Sequence, residues 1–204
     1  MADFAALVFD LGGVIVPHDN DVLYRVLAAR CRPASPPETV AAAARDPRYE
    51  QGKLPISHLH ERLRQEAGYA AGWDEFCAQW CCHLGIDVAM LDYVERLAAA
   101  RRVLIFSNTN REHWDHLVRL SHGRLGGLEA HLSYEMGDAK PALSAFRLLA
   151  DRAAIDPARS LFIDDKPENV AGARQAGFAA EVFTDQASFE RYLAAAEGDG
   201  PSRQ

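Results

Sequence analysis

The sequence has little cysteine and no long apolar run, and each absence argues against a class of protein. Four cysteines in 204 residues do not make the disulfide framework of a small secreted protein. We expect all of them to be reduced thiols that pack in the interior: Cys31, Cys77, Cys81 and Cys82. No stretch reaches the roughly 18 uninterrupted apolar residues that a membrane span requires. We therefore expect no membrane partner.

Basic residues are also scarce relative to acidic ones. The chain has 22 Lys and Arg against 29 Asp and Glu, a formal net charge of −7, and no basic stripe. A nucleic-acid partner is not expected, because contacts to phosphates require clustered Lys and Arg. The first residues also lack the charged and long apolar regions of a signal peptide, so a cytoplasmic protein is expected.

What the sequence does contain is a series of short β-rich runs that end in small or polar residues. These runs cover residues 6–13, 102–110, 160–169 and, more weakly, 179–184. Their apolar residues are continuous, which is typical of strands buried on both faces of a parallel sheet. Helical patterns lie between them at 90–100, 142–154 and 168–177. This alternation predicts an α/β fold with a Rossmann-like, doubly wound parallel sheet.

The segment after the first strand differs, because it contains helical patterns and no convincing strand. The patterns lie near residues 20–31, 37–46, 56–67 and 74–84, with prolines between them. A helical insert at this point would form a small cap over the end of the strand. We therefore predict an α/β core of residues 1–16 and 88–204 and an all-helical cap of residues 17–87.

Polar side chains follow each main strand, where parallel sheets bind their ligands. Asp10 ends the first run in "FDLGG", and Ser107 ends the second in "FSNTN". Asp164 and Asp165 end the third in "IDDKPEN", while Lys140 in "GDAKP" precedes a helix. We expect these residues to meet at one edge of the sheet.

In this order, the four patches resemble the four motifs of the haloacid dehalogenase-like (HAD) hydrolase superfamily. The resemblance covers residues 4–184, and the helical insert stands where the superfamily's first type of cap belongs. Any one motif is weak evidence, whereas four in order on matching elements are strong evidence. The resemblance implies a phosphatase that acts on a small phosphorylated metabolite.

Asp10 is the predicted nucleophile. A carboxylate can attack phosphorus when the phosphoryl charge is neutralised, and the aspartyl-phosphate that forms is then cleaved by water. The alternative is an acid that caps a turn at the end of the strand. Gly12 and Gly13 allow the backbone to approach phosphate closely, or they simply form a tight turn.

Three further residues carry groups that suit a phosphate. Ser107 and Asn108 offer hydrogen-bond donors, although Ser107 could instead cap the helix that begins near Arg111. Lys140 offers a positive charge that would separate the carboxylate of Asp10 from the incoming dianion, which makes it a predicted catalytic residue. A solvated surface lysine is the alternative.

Two adjacent carboxylates on a buried strand end are costly without a cation, so Asp164 and Asp165 predict Mg²⁺. The resemblance implies that Asp10, Asp165 and the Gly12 carbonyl bind the metal directly, and that Asp164 binds it directly or through water. Asn169 opens the next helix, where it could orient these carboxylates or cap the helix.

One acid of the superfamily's phosphatases is missing. Most of them carry a second aspartate two residues after the nucleophile, which protonates the leaving oxygen, and that position is Gly12 here. The combination of "FDLGGVIV", "SNTNREHW" and "KP" resembles a subgroup that includes an α-D-glucose 1-phosphate phosphatase and also has glycine there. His113 could contact substrate or donate a proton, or it could be a packing histidine. His18 or Asp19 could lean into the cleft as a substitute acid.

The loop of residues 49–54, "YEQGKL", resembles the specificity loop of related caps. Gly52 would permit its turn, and Lys53 or Gln51 would be available to bind substrate. An ordinary surface turn is the alternative. Sugar phosphates are the favoured substrates by resemblance, and either a monomer or a homodimer is compatible with the sequence.

Two other functions remain open from the sequence. One is a non-catalytic protein that binds a phosphorylated metabolite or a protein and has lost turnover with the missing acid. The other is a metal-independent 2-haloacid dehalogenase, in which Asp10 would displace halide from carbon. The pair formed by Asp164 and Asp165 argues against the second, because that chemistry needs no metal.

Overall fold

The computed structural model describes residues 4–198 and arranges the strands in one parallel sheet. The strands are β1 (Ala6–Phe9), β2 (Arg102–Ser107), β3 (Glu129–Leu132), β4 (Ser160–Asp164) and β5 (Ala179–Val182). Their order is β3-β2-β1-β4-β5, and all neighbours are parallel. The predicted α/β class with a doubly wound parallel sheet is therefore confirmed.

Helices cover both faces of the sheet. One face packs against α6 (Val88–Ala100), α7 (Arg111–Leu120) and α11 (Gln186–Gly198). The other packs against α9 (Leu143–Ala153) and α10 (Pro167–Gln175), while α8 (Ser133–Met136) follows β3 directly.

Alternate residues of each strand face opposite layers, which explains the continuous apolar runs. Leu7 and Phe9 belong to the first layer, while Ala6 and Val8 belong to the second. In the second layer Phe146 and Phe162 meet edge to face with ring centroids 5.2 Å apart. Each fully buried side chain of this size contributes about 1.5–3 kcal/mol.

The segment between β1 and α6 forms a group of helices with a hydrophobic core of its own. Its helices are α1 (Asn20–Ala28), α2 (Pro37–Ala44), α3 (Pro47–Glu50), α4 (Ile56–Ala67) and α5 (Trp73–Trp80). Leu27, Val40, Leu59 and Phe76 are fully buried among them. We call these helices the helical insert. The cysteines are free thiols here, and Cys82 is exposed rather than packed.

The chain enters and leaves the helical insert at neighbouring points. The Gly85 N–H donates to Pro17 O and the Asp87 N–H donates to Ile15 O, both at 2.9 Å. His18 and Leu84 form an antiparallel bridge beside them. These bonds hold the helical insert at the end of β1, where Asp10 lies.

Some predicted bounds differ from the structure. The first predicted strand ends at Phe9 rather than at residue 13, because the chain turns at Gly12 and Gly13. The sequence patterns did not indicate β3 or α3. Residues 1–3 and 199–204 of the predicted core lie outside the described residues. No helix in the described part of the chain is long and apolar enough to cross a membrane.

Candidate active site

The carboxylates and the lysine predicted from the sequence meet where the central strands end. Asp10 directly follows β1, and its N–H donates to Ile163 O on β4 at 2.8 Å. Asp164 is the last residue of β4, next to β1 in the sheet. Asp10, Asp164 and Lys140 are all buried. The parallel sheet therefore places three charged groups in one enclosed position.

Lys140 joins the two buried carboxylates. Its Nζ lies 2.8 Å from Asp10 Oδ1 and 2.6 Å from Asp164 Oδ2, and it donates to Phe106 O at 2.8 Å. Those partners account for all three ammonium protons. Lys140 is therefore buried next to Asp10 and does not lie on the solvated surface.

Asn108 fixes the backbone of Lys140 from β2. Its Oδ1 accepts the Lys140 N–H at 2.9 Å, and its Nδ2 donates to Lys140 O at 2.8 Å. This two-point contact sets the start of the lysine side chain. The Asn108 side chain thus positions Lys140, in addition to lining the cavity described below.

Asp164 is held on several sides. Asn169 Nδ2 donates to both of its oxygens at 3.0 Å, and the Lys166 N–H donates to Oδ1 at 2.9 Å. Of the two roles open for Asn169, the structure favours orientation of this carboxylate, because Lys166 is the N-cap residue of α10. These donors compensate the burial of the Asp164 charge.

Asp165 differs from Asp164 because one of its oxygens has no partner. Asp165 Oδ1 is buried and makes no hydrogen bond. Gly13 has φ +72°, and a Cβ built there would lie 2.3 Å from Asp165 Oδ2. Only glycine therefore leaves room for this carboxylate at the turn. An unpaired buried carboxylate oxygen is the kind of group that a cation would satisfy.

The acids form a set that could hold a metal ion. Oxygens of Asp10, Asp164 and Asp165 lie within 4.8 Å of one another. Among residues 4–198, these three acids are the group of potential metal ligands that lie this close together. Carboxylate oxygens are the ligands that Mg²⁺ prefers. The residues present therefore fit a hard divalent cation.

Burial and like charge act on these acids together. Burial and the neighbouring Asp164 charge raise the pKa of Asp10 to about 6, against the attraction of Lys140. Burial and Asp164 also raise the pKa of Asp165. Burial by itself would lower the pKa of Lys140, but the two carboxylates outweigh it and the net pKa is raised. Lys140 is therefore a fixed cation, and Asp10 is ionised near neutral pH.

A cavity of about 140 Å³ opens beside these groups. Its lining includes Asp10, Gly12, Lys140 and Asn169 from the sheet end, and Glu50 and His83 from the helical insert and the segment after it. A second cavity of about 290 Å³ shares Glu50 with the first. It extends between the sheet end and the insert, and it is lined mostly by polar residues that include Asn20, Arg45, Asp46, Thr109 and Asn110. We call them the inner and the outer cavity.

His113 lines both cavities, but both of its ring nitrogens are engaged. Nε2 donates to Trp80 O at 3.1 Å, and Nδ1 accepts from Asn110 Nδ2 at 3.2 Å. The ring stacks on Trp80 with centroids 4.9 Å apart. Burial, followed by the nearby His83, lowers the pKa of His113 to about 3. Of the two roles left open by the sequence, these contacts favour packing over proton donation.

The two candidates for a substitute acid have different surroundings. Asp19 is the N-cap residue of α1, where its Oδ1 accepts the N–H groups of Asp21 and Val22. His18 lines the inner cavity instead.

Three residues that were predicted to bind phosphate or substrate line neither cavity: Lys53, Ser107 and Gly13, which packs against Asp165. Lys53 is exposed and its Nζ donates to Gln51 Oε1 at 2.9 Å, because the turn at Gly52 directs the chain back toward Arg48. The residue of this loop that does line both cavities is Glu50. Ser107 is buried at the end of β2. It is also not the helix cap proposed as its alternative, because Asn110 caps α7.

The sequence did not indicate Glu50, Thr109, Asn20 or His83 as lining residues. Thr109 lies within the motif "FSNTN" and Glu50 within the loop "YEQGKL", and these were the available signals for them. Asn20 and His83 lie in or beside the helical insert, and their approach to the sheet end depends on packing between distant segments.

Comparisons with known proteins agree with this geometry. A family model described as haloacid dehalogenase-like hydrolase matches residues 4–177. The D-ribitol-5-phosphate phosphatase of Bacteroides thetaiotaomicron is 26% identical over 188 residues, covering 84% of this chain and 88% of that protein.

Solved structures share the whole fold. A HAD family enzyme from Bacteroides thetaiotaomicron, in complex with magnesium and inorganic phosphate, has a TM-score of 0.79 and 23% identity, covering 91% of this chain and 98% of that one. A HAD-like family hydrolase from Porphyromonas gingivalis has a TM-score of 0.81 and 24% identity, covering 94% of this chain and 98% of that one.

Proposed function

This chain belongs to the haloacid dehalogenase-like hydrolases, and on that premise we propose that it is a Mg²⁺-dependent phosphatase. Its substrate would be a small phosphorylated metabolite, and the reaction would pass through an aspartyl-phosphate on Asp10. The observation that carries the proposal is the buried contact of Lys140 with Asp10 and Asp164, beside the unpaired oxygen of Asp165. A purely structural cluster would have no need to leave that oxygen without a donor.

Asp10 would attack the phosphorus atom with its carboxylate oxygen. The nucleophile must be ionised, and with a pKa of about 6 Asp10 is mostly ionised near neutral pH. Lys140 remains positively charged next to it and offsets part of the repulsion between the carboxylate and a phosphate dianion. Water would then cleave the aspartyl-phosphate and regenerate Asp10.

The metal ligands would be Asp10, Asp165 and the Gly12 carbonyl, with Asp164 binding directly or through water. Mg²⁺ bound there would supply positive charge that stabilises the phosphoryl group during transfer. Asn169 keeps Asp164 oriented, and Gly13 leaves the space that Asp165 occupies. Each of these residues thus supports the acid set.

The outer cavity supports a small, hydroxyl-rich leaving group. Its volume of about 290 Å³ is at the lower end for small-molecule pockets, and carboxylate, amide and guanidinium side chains surround it. Such side chains are suitable partners for hydroxyl groups. A related phosphatase acts on D-ribitol 5-phosphate, according to its name. We therefore propose sugar or sugar-alcohol phosphates as the substrate class.

The helical insert, within residues 17–87, would act as the cap. It supplies Glu50 to both cavities, and Asn20, Arg45 and Asp46 to one or both of them. Residues of the insert rather than of the sheet end would then select the leaving group, because the sheet end is committed to phosphate.

Phosphate release from a panel of phosphate esters tests the proposal. The panel contains ribitol 5-phosphate, glucose 1-phosphate and p-nitrophenyl phosphate, each with Mg²⁺ and with excess EDTA. We expect release with Mg²⁺ only, and its abolition in Asp10→Asn. His122→Asn is the matched control, because His122 is exposed after the end of α7 and lines neither cavity, and asparagine tolerates its positive φ.

Other outcomes would support other functions. No release from any ester, with Mg²⁺ binding intact, would contradict the proposal and favour a binding protein. Chloride release from a 2-chloroacid that is unaffected by EDTA would favour a dehalogenase. Full activity in Asp10→Asn would exclude Asp10 as nucleophile.

A further inference from the structure

The cleavage of an alkyl phosphate needs a proton for the leaving oxygen, since an alkoxide is a poor leaving group. Resting on the proposed function, we propose that the imidazole of His18 supplies this proton and later accepts one from the attacking water. Gly12, two residues beyond Asp10, has no side chain that could do so. We therefore look for the proton on another group that lines the inner cavity.

Two of the other polar side chains in the inner cavity are committed elsewhere. Lys140 donates its three protons to Asp10, Asp164 and Phe106 O. The amide of Asn169 holds Asp164. These groups orient the acids and have no proton to give at neutral pH.

Two histidines near His18 are also poor donors. His113 has both ring nitrogens occupied by Trp80 O and Asn110 Nδ2. His83 lies against His113 with ring centroids 5.3 Å apart, and its Nδ1 is buried without a partner. A second proton on either ring would place a charge among other imidazoles in an enclosed position.

His18 is exposed at the cavity, and its ring fills the space that a side chain at residue 12 would reach. A Cβ built on Gly12 would lie 3.5 Å from His18 Cε1 and 3.7 Å from Nδ1, which is ordinary van der Waals contact. The imidazole therefore lies next to the turn that follows Asp10. His18 itself is six residues after Gly12 in the chain.

The hydrogen bond of His18 leaves the second ring nitrogen available. Nδ1 lies 3.4 Å from Val16 O, and because a carbonyl only accepts, Nδ1 carries the proton. Over residues 4–198 the structure gives Nε2 no hydrogen-bond partner. Nε2 is thus the atom that can hold the transferred proton while Nδ1–H keeps the ring oriented.

The two half-reactions balance on this assignment. In the first, an Asp10 oxygen bonds to phosphorus, the bond from phosphorus to the leaving oxygen breaks, and the Nε2 proton of His18 passes to that oxygen. In the second, a water oxygen bonds to phosphorus, a water proton passes to Nε2, and the bond from phosphorus to Asp10 breaks. The products are an alcohol and phosphate, and His18 is again protonated.

The test separates proton donation from a structural role by the leaving group. Release of the alcohol is measured in a single turnover, with enzyme in excess, for ribitol 5-phosphate and for p-nitrophenyl phosphate. p-Nitrophenolate leaves without a proton, whereas ribitol does not. We expect His18→Gln to slow ribitol release by about 10²–10⁴-fold and p-nitrophenol release far less. Equal slowing of both, or of neither, would overturn the proposal.

A second variant tests the position of the proton donor. Gly12 does not have a positive φ, so an L side chain is tolerated there. With His18→Gln in place, we expect Gly12→Asp to restore ribitol release, because its carboxyl would reach the space next to the glutamine. A folded double variant without any restoration counts against the assignment. His122→Asn again serves as the control that keeps full activity.

Failure of this inference is distinct from failure of the proposed function. If the unaltered protein releases neither alcohol, the phosphatase proposal is wrong. If the unaltered protein releases both ribitol and p-nitrophenol, and His18→Gln releases both at the same rates, only the role assigned to His18 is wrong. If Glu50→Gln shows the leaving-group pattern expected for His18→Gln, Glu50 is the donor and the assignment to His18 is wrong.

Discussion

Asp10, the proposed nucleophile, illustrates how a buried acid can weaken the fold that holds it. Its pKa rises from 3.8 to about 6, mainly by burial, so the folded protein binds more protons than the unfolded chain between these pH values. The free energy of unfolding must then fall as the pH rises through this interval. Below this pH interval Asp10 is protonated in both the folded and the unfolded chain, so it does not lower the free energy of unfolding.

We therefore predict that Asp10→Asn flattens the pH dependence of stability of the metal-free protein between about pH 4 and pH 6. At neutral pH the variant should be more stable than the unaltered protein by roughly 1–3 kcal/mol. Urea unfolding in EDTA across this interval measures it. A variant whose stability falls with pH as steeply as that of the unaltered chain would show that Asp10 is not the group responsible.

Gly13 is required for two separable reasons, a left-handed backbone and the space taken by Asp165. We predict that Gly13→Ala lowers Mg²⁺ affinity at least tenfold, because the new methyl group displaces Asp165. Gly123→Ala is the matched control, since Gly123 has φ +87° but nothing within 4 Å of an added Cβ. Both variants should lose about 1–2 kcal/mol through the backbone, and only Gly13→Ala should bind Mg²⁺ more weakly by calorimetry.

The sequence indicates the members of the acid set but not their different surroundings. Adjacent aspartates at a strand end are recognisable as a pair, and the resemblance supplied their roles only as implications. The structure shows that Asp164 is enclosed by Lys140, Asn169 and a backbone N–H, while Asp165 turns toward Gly13. This difference follows from packing between β4, α10 and the first turn, which no local pattern encodes.

At the scale of elements, the central strands β1, β2 and β4 were predictable, the edge strand β5 gave a weaker signal, and the edge strand β3 gave none. β1, β2 and β4 each lie between two other strands and are covered by helices on both faces, so their sequences are continuous apolar runs. β3 pairs only with β2, and its residues Glu129–Leu132 are mostly half-buried or exposed. An edge strand can be polar, so its sequence carries little signal. Helix α3 escaped prediction because a single turn has no periodicity to detect.

Helix α10 approaches its neighbours so closely at one position that only glycine fits. A Cβ on Gly172 would lie 2.5 Å from Pro141 O and 2.9 Å from Phe146 Cε2. We predict that Gly172→Ala destabilises the protein by about 1–3 kcal/mol, although alanine is the better helix former by about 1 kcal/mol. Phosphatase activity should also fall, because α10 carries Asn169 and follows Asp165.

Thermal and urea unfolding, together with turnover, check this prediction. Ala171→Gly is the control: Ala171 is exposed on the same helix, and its loss of stability should reflect helix propensity alone, without loss of turnover. Stabilisation by Gly172→Ala would mean that α10 can move away from Pro141 without cost.

At the scale of the whole molecule, Ser133 connects the helical insert to the sheet end. Its Oγ lies 2.6 Å from Glu50 O and accepts the Thr109 N–H at 2.9 Å. We predict that Ser133→Ala costs about 1–3 kcal/mol, since it leaves buried polar groups unpaired. KM for a sugar phosphate should rise more than kcat falls, because Glu50 and Thr109 line the outer cavity.

Ser121→Ala provides the comparison for this prediction. Ser121 is also buried and its Oγ also bridges backbone groups, Val118 O and the Leu125 N–H, away from both cavities. It should lose comparable stability with no change in KM. An equal rise of KM in both variants would show that the loss of stability itself, and not the loss of the hydrogen bond to Glu50 O, weakens substrate binding.

The bonds between residues 15–18 and 83–87 have a consequence for how the chain can change over time. Because the insert's two ends are already hydrogen-bonded to each other, a core in which a short turn replaced it would close a small loop at low entropic cost. An insert with helices of another length or number could begin and end at the same paired segments without altering the order of the strands. Under the proposed function, related chains could therefore differ in the helices that would select the leaving group and still keep the same phosphate site at the sheet end.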